Sequence, residues 1–264
     1  MGFEKFWILI LVCLLACSAG FKKFIWFMSV GYGLAIACAG VTLLVMFIPS
    51  LSAVTIIQCA VLVFYGLRLA SFLLRREMKS AAYRRVLSSA GGTADVPLPV
   101  KVCMWLFMGV LYAIQVSPVF YRLYNGSTDT AVPLIGAAIS LAGALIEMIA
   151  DIQKSEQKKA NPDRVAMEGL YKICRCPNYF GELLMWTGVT LGGFTAYHGI
   201  GQWLFAAIGF IAICVIMSDG AKRLEKRQMK RCGNDPEYIY YCDTTPIIIP
   251  GVPVYHLVRK EDVQ

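Results

Sequence analysis

Histidine is almost missing from this chain: His198 and His256 are the only two in 264 residues. Structural and catalytic zinc sites draw on clustered His and Cys. Here the C-x-C of Cys174 and Cys176 has neither a second pair nor a nearby histidine, so no metal site is expected. Charge is scarce as well. Asp, Glu, Lys and Arg make up 16% of the residues, against about 25% in a typical soluble domain, and no polar block of domain size occurs. These shortages exclude an ordinary soluble enzyme, and the apolar content excludes a disordered chain. No G-x-G-x-x-G follows a strand-like run, which excludes a Rossmann cofactor domain. No internal repeat is visible, which argues against an inverted-repeat transporter.

What the chain does have is apolar length. Hydrophobic residues make up 58% of it, and the mean hydropathy is +0.60. A spanning helix needs about 20 mostly apolar residues, and seven candidates meet or approach that: 6–20, 24–48, 51–74, 100–123, 132–151, 180–194 and 199–217. The expected fold is therefore all-α, a polytopic integral membrane bundle of about seven transmembrane helices. It forms a single membrane domain, 1–264, with a bundle over 6–217 and a cap over 218–264. Of the 25 Lys and Arg, 22 fall in alternate loops and the tail, two (Lys5 and Arg122) fall on the opposite side, and Arg68 lies within a span. Basic residues favour cytoplasmic loops. That places the N-terminus outside or in the lumen and the C-terminus in the cytoplasm, in a bacterial inner membrane or the endoplasmic reticulum. The same placement explains the net charge of +8 without nucleic acid, and it makes membrane lipid the expected surroundings. The loop 75–99 ends in a Ser- and Gly-containing stretch, 88–92, expected to fray. Most of the ten cysteines lie in or beside apolar runs and read as buried reduced thiols.

Charged residues inside spans are costly and usually face a cavity or a partner. Arg68 lies near the cytoplasmic end of the third span, with Tyr65 one turn deeper on the same face. Glu147 and Asp151 are an i,i+4 pair near the cytoplasmic end of the fifth span, and Glu182 follows Asn178 and Tyr179 at the start of the sixth. Five such side chains in the cytoplasmic half, joined by basic loops, describe a polar cavity with cations at its mouth. An anionic cofactor from the cytosol and an apolar ligand from the bilayer would both suit it.

The segment Gly169-Leu170-Tyr171-Lys172-Ile173-Cys174-Arg175-Cys176-Pro177-Asn178-Tyr179-Phe180-Gly181-Glu182 resembles the signature of the steroid 5-alpha-reductase C-terminal family, and most closely its little-characterised membrane-reductase branch. Tyr65-Gly66-Leu67-Arg68, Glu147 with Asp151, Lys158, Trp186, Glu225, Pro236-Glu237-Tyr238 and Thr245-Pro246 follow in family order. The resemblance runs from about Ser52 to Pro250. It implies an NADPH-dependent reductase of a conjugated enone in a lipid or steroid-like substrate. It further implies that Arg68, Glu147, Asp151, Lys158, Arg175, Asn178, Tyr179, Glu182 and Arg223 serve the cofactor, with Tyr65 near the substrate carbonyl as the catalytic group. Arg and Lys suit phosphates, and an acid such as Asp151 can accept from ribose hydroxyls. Tyr65 would donate where negative charge develops on the reducing enone.

Two positions depart from the family pattern. Cys176 stands where the branch has histidine, and the first three spans carry no acid after Glu4 to partner Tyr65. Two other functions therefore stand beside the reductase. One is an S-adenosylmethionine-dependent membrane methyltransferase of the isoprenylcysteine carboxyl type, which has a related Arg-His-Pro element. The other is a non-catalytic lipid-binding membrane protein. The bunched glycines, among them Gly31-x-Gly33, read as close-packing positions.

Overall fold

The computed structural model describes residues 3–79 and 96–258. The segment 80–95, which contains the 88–92 stretch, lies outside them. Among the described residues all regular structure is helical: α1 (Phe3–Cys17), α2 (Val30–Met46), α3 (Ala53–Lys79), α4 (Leu98–Gln115), α5 (Ser117–Tyr124), α6 (Ala131–Ala160), α7 (Pro177–Gly193), α8 (Ile200–Cys232) and α9 (Pro236–Thr244). Six segments among the described residues are long and apolar enough to cross a membrane: Glu4–Phe21, Phe24–Met46, Ala53–Lys79, Leu98–Gln115, Ala131–Ala160 and Ile200–Cys232. Large apolar side chains lie exposed on them, among them Trp7 and Leu15 of α1, Ile56 and Phe64 of α3, and Ile211 and Val215 of α8. In water such exposure forfeits about 25 cal/mol per Å²; in lipid it forfeits little. The chain is an all-α, multi-pass membrane protein.

The helix ends depart from the hydropathy pattern in three places. The expected span 180–194 is the 17-residue α7, about 25 Å long at 1.5 Å per residue and shorter than the other six. Gly192 and Gly193 close it, and a 3-10 turn, Phe194–Ala196, follows. The expected span 100–123 is two helices, because Pro118 in the first turn of α5 lacks an N–H and its ring clashes with the preceding turn. Lastly, α6 and α8 continue well past their apolar stretches. In α8 no break separates the expected bundle from the expected cap at 217/218.

The chain divides into two compact units, Met1–Ala138 with Val189–Phe210, and Ile139–Gly188 with Ile211–Gln264. In the first, α2 and α3 run antiparallel and touch backbone to backbone. A Cβ on Gly33 would fall 2.7 Å from the Gly66 carbonyl and 2.8 Å from the Ala70 amide, and a Cβ on Gly66 would overlap the Gly33 carbonyl. Small residues permit such crossings in membrane helices. The Trp105 indole N–H donates to the Leu14 carbonyl at 2.7 Å, fixing α4 against α1. Arg122, fully buried, donates to the Thr128 carbonyl at 2.9 Å and to Asp129 at 2.6 Å. Asp129 also accepts from the Ser52 hydroxyl at 2.8 Å, tying the α5–α6 loop to the start of α3.

In the second unit the crossing helices are α6 and α7. A Cβ on Gly143 would fall 2.6 Å from the Gly181 carbonyl, and one on Gly181 would lie 2.5 Å from the Glu147 amide. The polar extension of α6 then holds the loop that follows it. Gln157 Oε1 accepts from the Met167 and Glu168 amides at 3.0 and 3.1 Å, and Gln153 Oε1 accepts from the Leu170 amide at 2.9 Å. Gly169 fits beside Gln153 with φ +67°, a conformation that glycine adopts without strain.

Candidate functional site

Of the residues singled out in the sequence, Tyr65 and Arg68 belong to the first unit. Tyr65 is fully buried, and the Arg68 guanidinium carbon lies 5.6 Å from the centre of its ring, within cation–π range. The Tyr65 hydroxyl is 3.2 Å from that of Tyr32 on α2. Tyr32 packs its ring against Tyr112 at 4.9 Å between centroids, and Tyr112 donates to the Phe27 carbonyl at 2.8 Å. Three tyrosines from three helices thus converge in one buried place. Nothing in the apolar run of α2 singled out Tyr32; only its neighbour Gly33 was conspicuous.

An acid does occur on the third helix. Because α3 runs on to Lys79, it carries Glu77, buried at 6% exposure. Twelve residues separate it from Tyr65, about 18 Å along a helix, so the two cannot meet. Glu77 instead accepts from the Trp26 indole at 2.7 Å and pairs with Lys23.

The remaining candidates lie in the second unit. Glu147 (3%), Asp151 (6%) and Glu182 (7%) are all buried there. The Gly143–Gly181 crossing sets the backbone of Glu147 against the first turns of α7, between Asn178 and Glu182. The side-chain oxygen of Asn178 is buried and has no hydrogen-bond partner among the described residues. Tyr179 lays its ring 3.5 Å from where a Cβ on Gly220 would stand, and the charges of Arg227, Glu182 and Arg223 are close enough to act on its phenol. Asp151 acts in the same way on Tyr171, whose phenol is pushed well up, first by burial and then by that acid. Lys154 lies 6.0 Å from the Tyr171 ring centre. It had not been singled out in the sequence, although it follows Asp151 by one helical turn.

Lys158, Arg175 and Arg223, expected as cofactor cations, also have partners within the chain. Lys158 donates to the carbonyls of Pro162 at 3.0 Å and Arg164 at 2.6 Å, closing the turn after α6. Arg175 turns inward, donating to Glu225 at 2.9 Å, to the Cys242 sulfur at 3.0 Å and to the Tyr255 carbonyl. Glu225 in turn accepts from the Leu257 and Val258 amides at 2.8 and 3.1 Å. His256 bridges Glu225 at 3.1 Å and Asp243 at 2.8 Å. The Arg175–Glu225 pair therefore pins the C-terminal segment. Arg223 stays exposed and pairs with Asp219 one turn earlier.

Cys176 also has a plain physical account. It packs with Ala221, Ile247 and Ile248, and its carbonyl accepts from the Tyr179 and Phe180 amides, both at 3.0 Å, at the start of α7. Burial pushes its thiol up to about 11 and that of Cys174 up to about 12, so both are neutral near pH 7. Cys176 is thus a small core residue at the start of α7.

One protein-family model, described as "Protein of unknown function (DUF1295)", matches residues 17–245. No curated protein and no solved structure matches the chain.

Proposed function

The chain belongs to the DUF1295 family, and from that premise we propose that it is an NADPH-dependent membrane reductase of the steroid 5-alpha-reductase kind. Its substrate would be a lipid or steroid-like enone, reduced at the carbon–carbon double bond. The observation that carries this reading is the turn Asn178–Glu182. It holds an amide oxygen that is buried with no partner among the described residues, and it sits against the Glu147 backbone in a unit where Glu147, Asp151 and Glu182 are all buried. Buried ionisable groups in membrane helices are expensive and usually serve a site.

The residues present fit the nicotinamide nucleotide. Asn178 Oδ1 would accept from the ring carboxamide. Asp151, Glu147 and Glu182 would accept from ribose hydroxyls, and Arg223, Arg227 and Lys154 are cations suited to the phosphates. Lys158 and Arg175 serve by bracing the loop and the tail around that turn. When bound, the cofactor supplies a hydride. By the family resemblance Tyr65 would lie near the substrate carbonyl and would donate a proton as the enone becomes an enolate, and Arg68 beside its ring would favour the negative charge that results. The basic ends of α3, α6 and α8 would face the cytoplasm, with the protein multi-pass in its membrane.

A thermal shift of detergent-purified protein against NADPH, NADH and S-adenosylmethionine tests the reading. A ligand that binds only the folded state adds RT ln(1 + [L]/Kd), about 2.7 kcal/mol at a hundredfold excess over Kd. Stabilisation by NADPH alone is expected, and Glu182→Ala and Asp151→Ala should abolish it. A shift with S-adenosylmethionine instead would make the protein a methyltransferase. Folded protein that responds to none of the three would leave a non-catalytic lipid-binding role.

A further inference from the structure

Resting on the reading of Tyr65 as the proton donor, we propose that Tyr32 is the positioning residue of that donor. A phenol can aim its proton at a substrate oxygen or carbon only if its C–O–H rotor is held. At a buried place a neighbouring side chain can do this. The 3.2 Å contact between the Tyr32 and Tyr65 hydroxyls supplies the hold. If the Tyr32 O–H donates to the Tyr65 oxygen, it fixes one side of that oxygen and with it the direction in which the Tyr65 proton can be given.

The arrangement is built into the sequence as two dipeptides. Tyr32-Gly33 on α2 faces Tyr65-Gly66 on α3, and Gly33 and Gly66 are where the two backbones touch. Each tyrosine therefore leaves its helix next to the closest point of the crossing. A second pair of contacts fixes the Tyr32 ring: Tyr112 lies against it and is itself held by the Phe27 carbonyl. Glu77, the acid on α3, is held by Lys23 and Trp26 far along the helix.

The chemistry balances. Hydride addition at the β-carbon moves the carbon–carbon π electrons to make an enolate. The enolate takes the Tyr65 proton, which leaves a phenolate, and a proton from water restores the phenol. Net, the enone gains one hydride and one proton. The Tyr32 O–H, donating to the phenolate oxygen, stabilises the charge formed in that step. A donor aimed at developing charge is worth roughly 10²–10³ in rate when other enzymes lose one, and one acting through Tyr65 should be worth about tenfold or more.

The test has two arms on full-length protein. In the first, 3-fluorotyrosine is placed at position 65 and its fluorine resonance is recorded without cofactor. Tyr32→Phe should move the resonance, Tyr112→Phe should move it the same way by less, and Tyr121→Phe should leave it in place. In the second arm, proteoliposomes reduce cholest-4-en-3-one or 2-cyclohexenone with NADPH. Tyr32→Phe should lower kcat about tenfold or more and leave KM and the NADPH thermal shift unchanged. It should also raise the solvent deuterium isotope effect, because proton transfer becomes the slower step; a general loosening of the fold would not do that. An unmoved resonance, or kcat within about twofold of wild type, overturns the role of Tyr32 and leaves the reductase standing. Wild-type protein inactive on both enones overturns the reductase reading and Tyr32's role together.

Discussion

Gly33 and Gly66 face each other across α2 and α3 so closely that a Cβ on either would fall on the other's carbonyl oxygen. That contact brings the hydroxyls of Tyr32 and Tyr65 to 3.2 Å. Gly66→Ala should accordingly cost about 1–3 kcal/mol, as overpacking does in other tight interiors, and should separate the two phenols. The melting temperature in detergent checks the first effect and the fluorine resonance at position 65 the second. Gly126→Ala, where nothing lies within 4 Å, should suffer only from its φ of +65° and leave that resonance unmoved.

Arg175 and Glu225 form a buried pair, with side chains 3% and 1% exposed. Removing one partner of such a pair typically costs about 3–5 kcal/mol, because the other charge is left without compensation. Glu225→Ala should be the more damaging, since it also frees the Leu257 and Val258 amides. Limited proteolysis should cut Glu225→Ala near residue 250 well before wild type. Equal protection in both would contradict the pinning role of the pair.

Cys176→Ala should be tolerated and should keep the response to NADPH, whereas Cys176→His should lower the melting temperature. The second substitution forces a larger polar ring among Ala221, Ile247 and Ile248. Because burial holds the thiol up at about 11, Cys176 should also resist alkylation at pH 8 until the protein is unfolded, which mass spectrometry of the labelled peptides checks.

Asp129 carries a pH dependence of defined sign. Burial by itself raises its carboxyl, but the hydrogen bonds from Ser52, Arg122 and the Val54 amide outweigh it, and the net value is below the usual 3.8. A depressed native value contributes stability that is fully present above 3.8 and is lost as the pH falls through that lower value. The gap in melting temperature between wild type and Asp129→Asn should thus be constant from pH 7 to about 4 and close below it. A gap that widens on acidification would contradict the assignment.

Much of this was legible in the sequence, and the parts that were not have physical reasons. The membrane class, the Tyr65–Arg68 face and the Asn178–Glu182 turn follow from apolar length, helical spacing and a contiguous motif. Helix ends were less legible. Hydropathy falls where charge begins, while α6 and α8 continue as helix through Lys158 and Arg231, since Lys and Arg are good helix formers. The break at Pro118 was visible as a residue and lost within an apolar run. The fate of Arg175 was not legible, because its partner Glu225 lies 50 positions away and only the fold brings them together. Tyr32 was illegible for a different reason: an aromatic in an apolar run is ordinary, and only the crossing at Gly33 gives it a neighbour.

The measurement that tests the account most directly is isotope transfer. Wild-type protein in proteoliposomes is given cholest-4-en-3-one or 2-cyclohexenone with NADPH carrying deuterium at the transferable position, and the product is read by mass spectrometry. The account expects a saturated ketone with a single deuterium at the former β-carbon, formed by wild type and lost in Tyr65→Phe and Glu182→Ala. Unlabelled enone recovered intact from wild-type protein that is folded and stabilised by NADPH would contradict it.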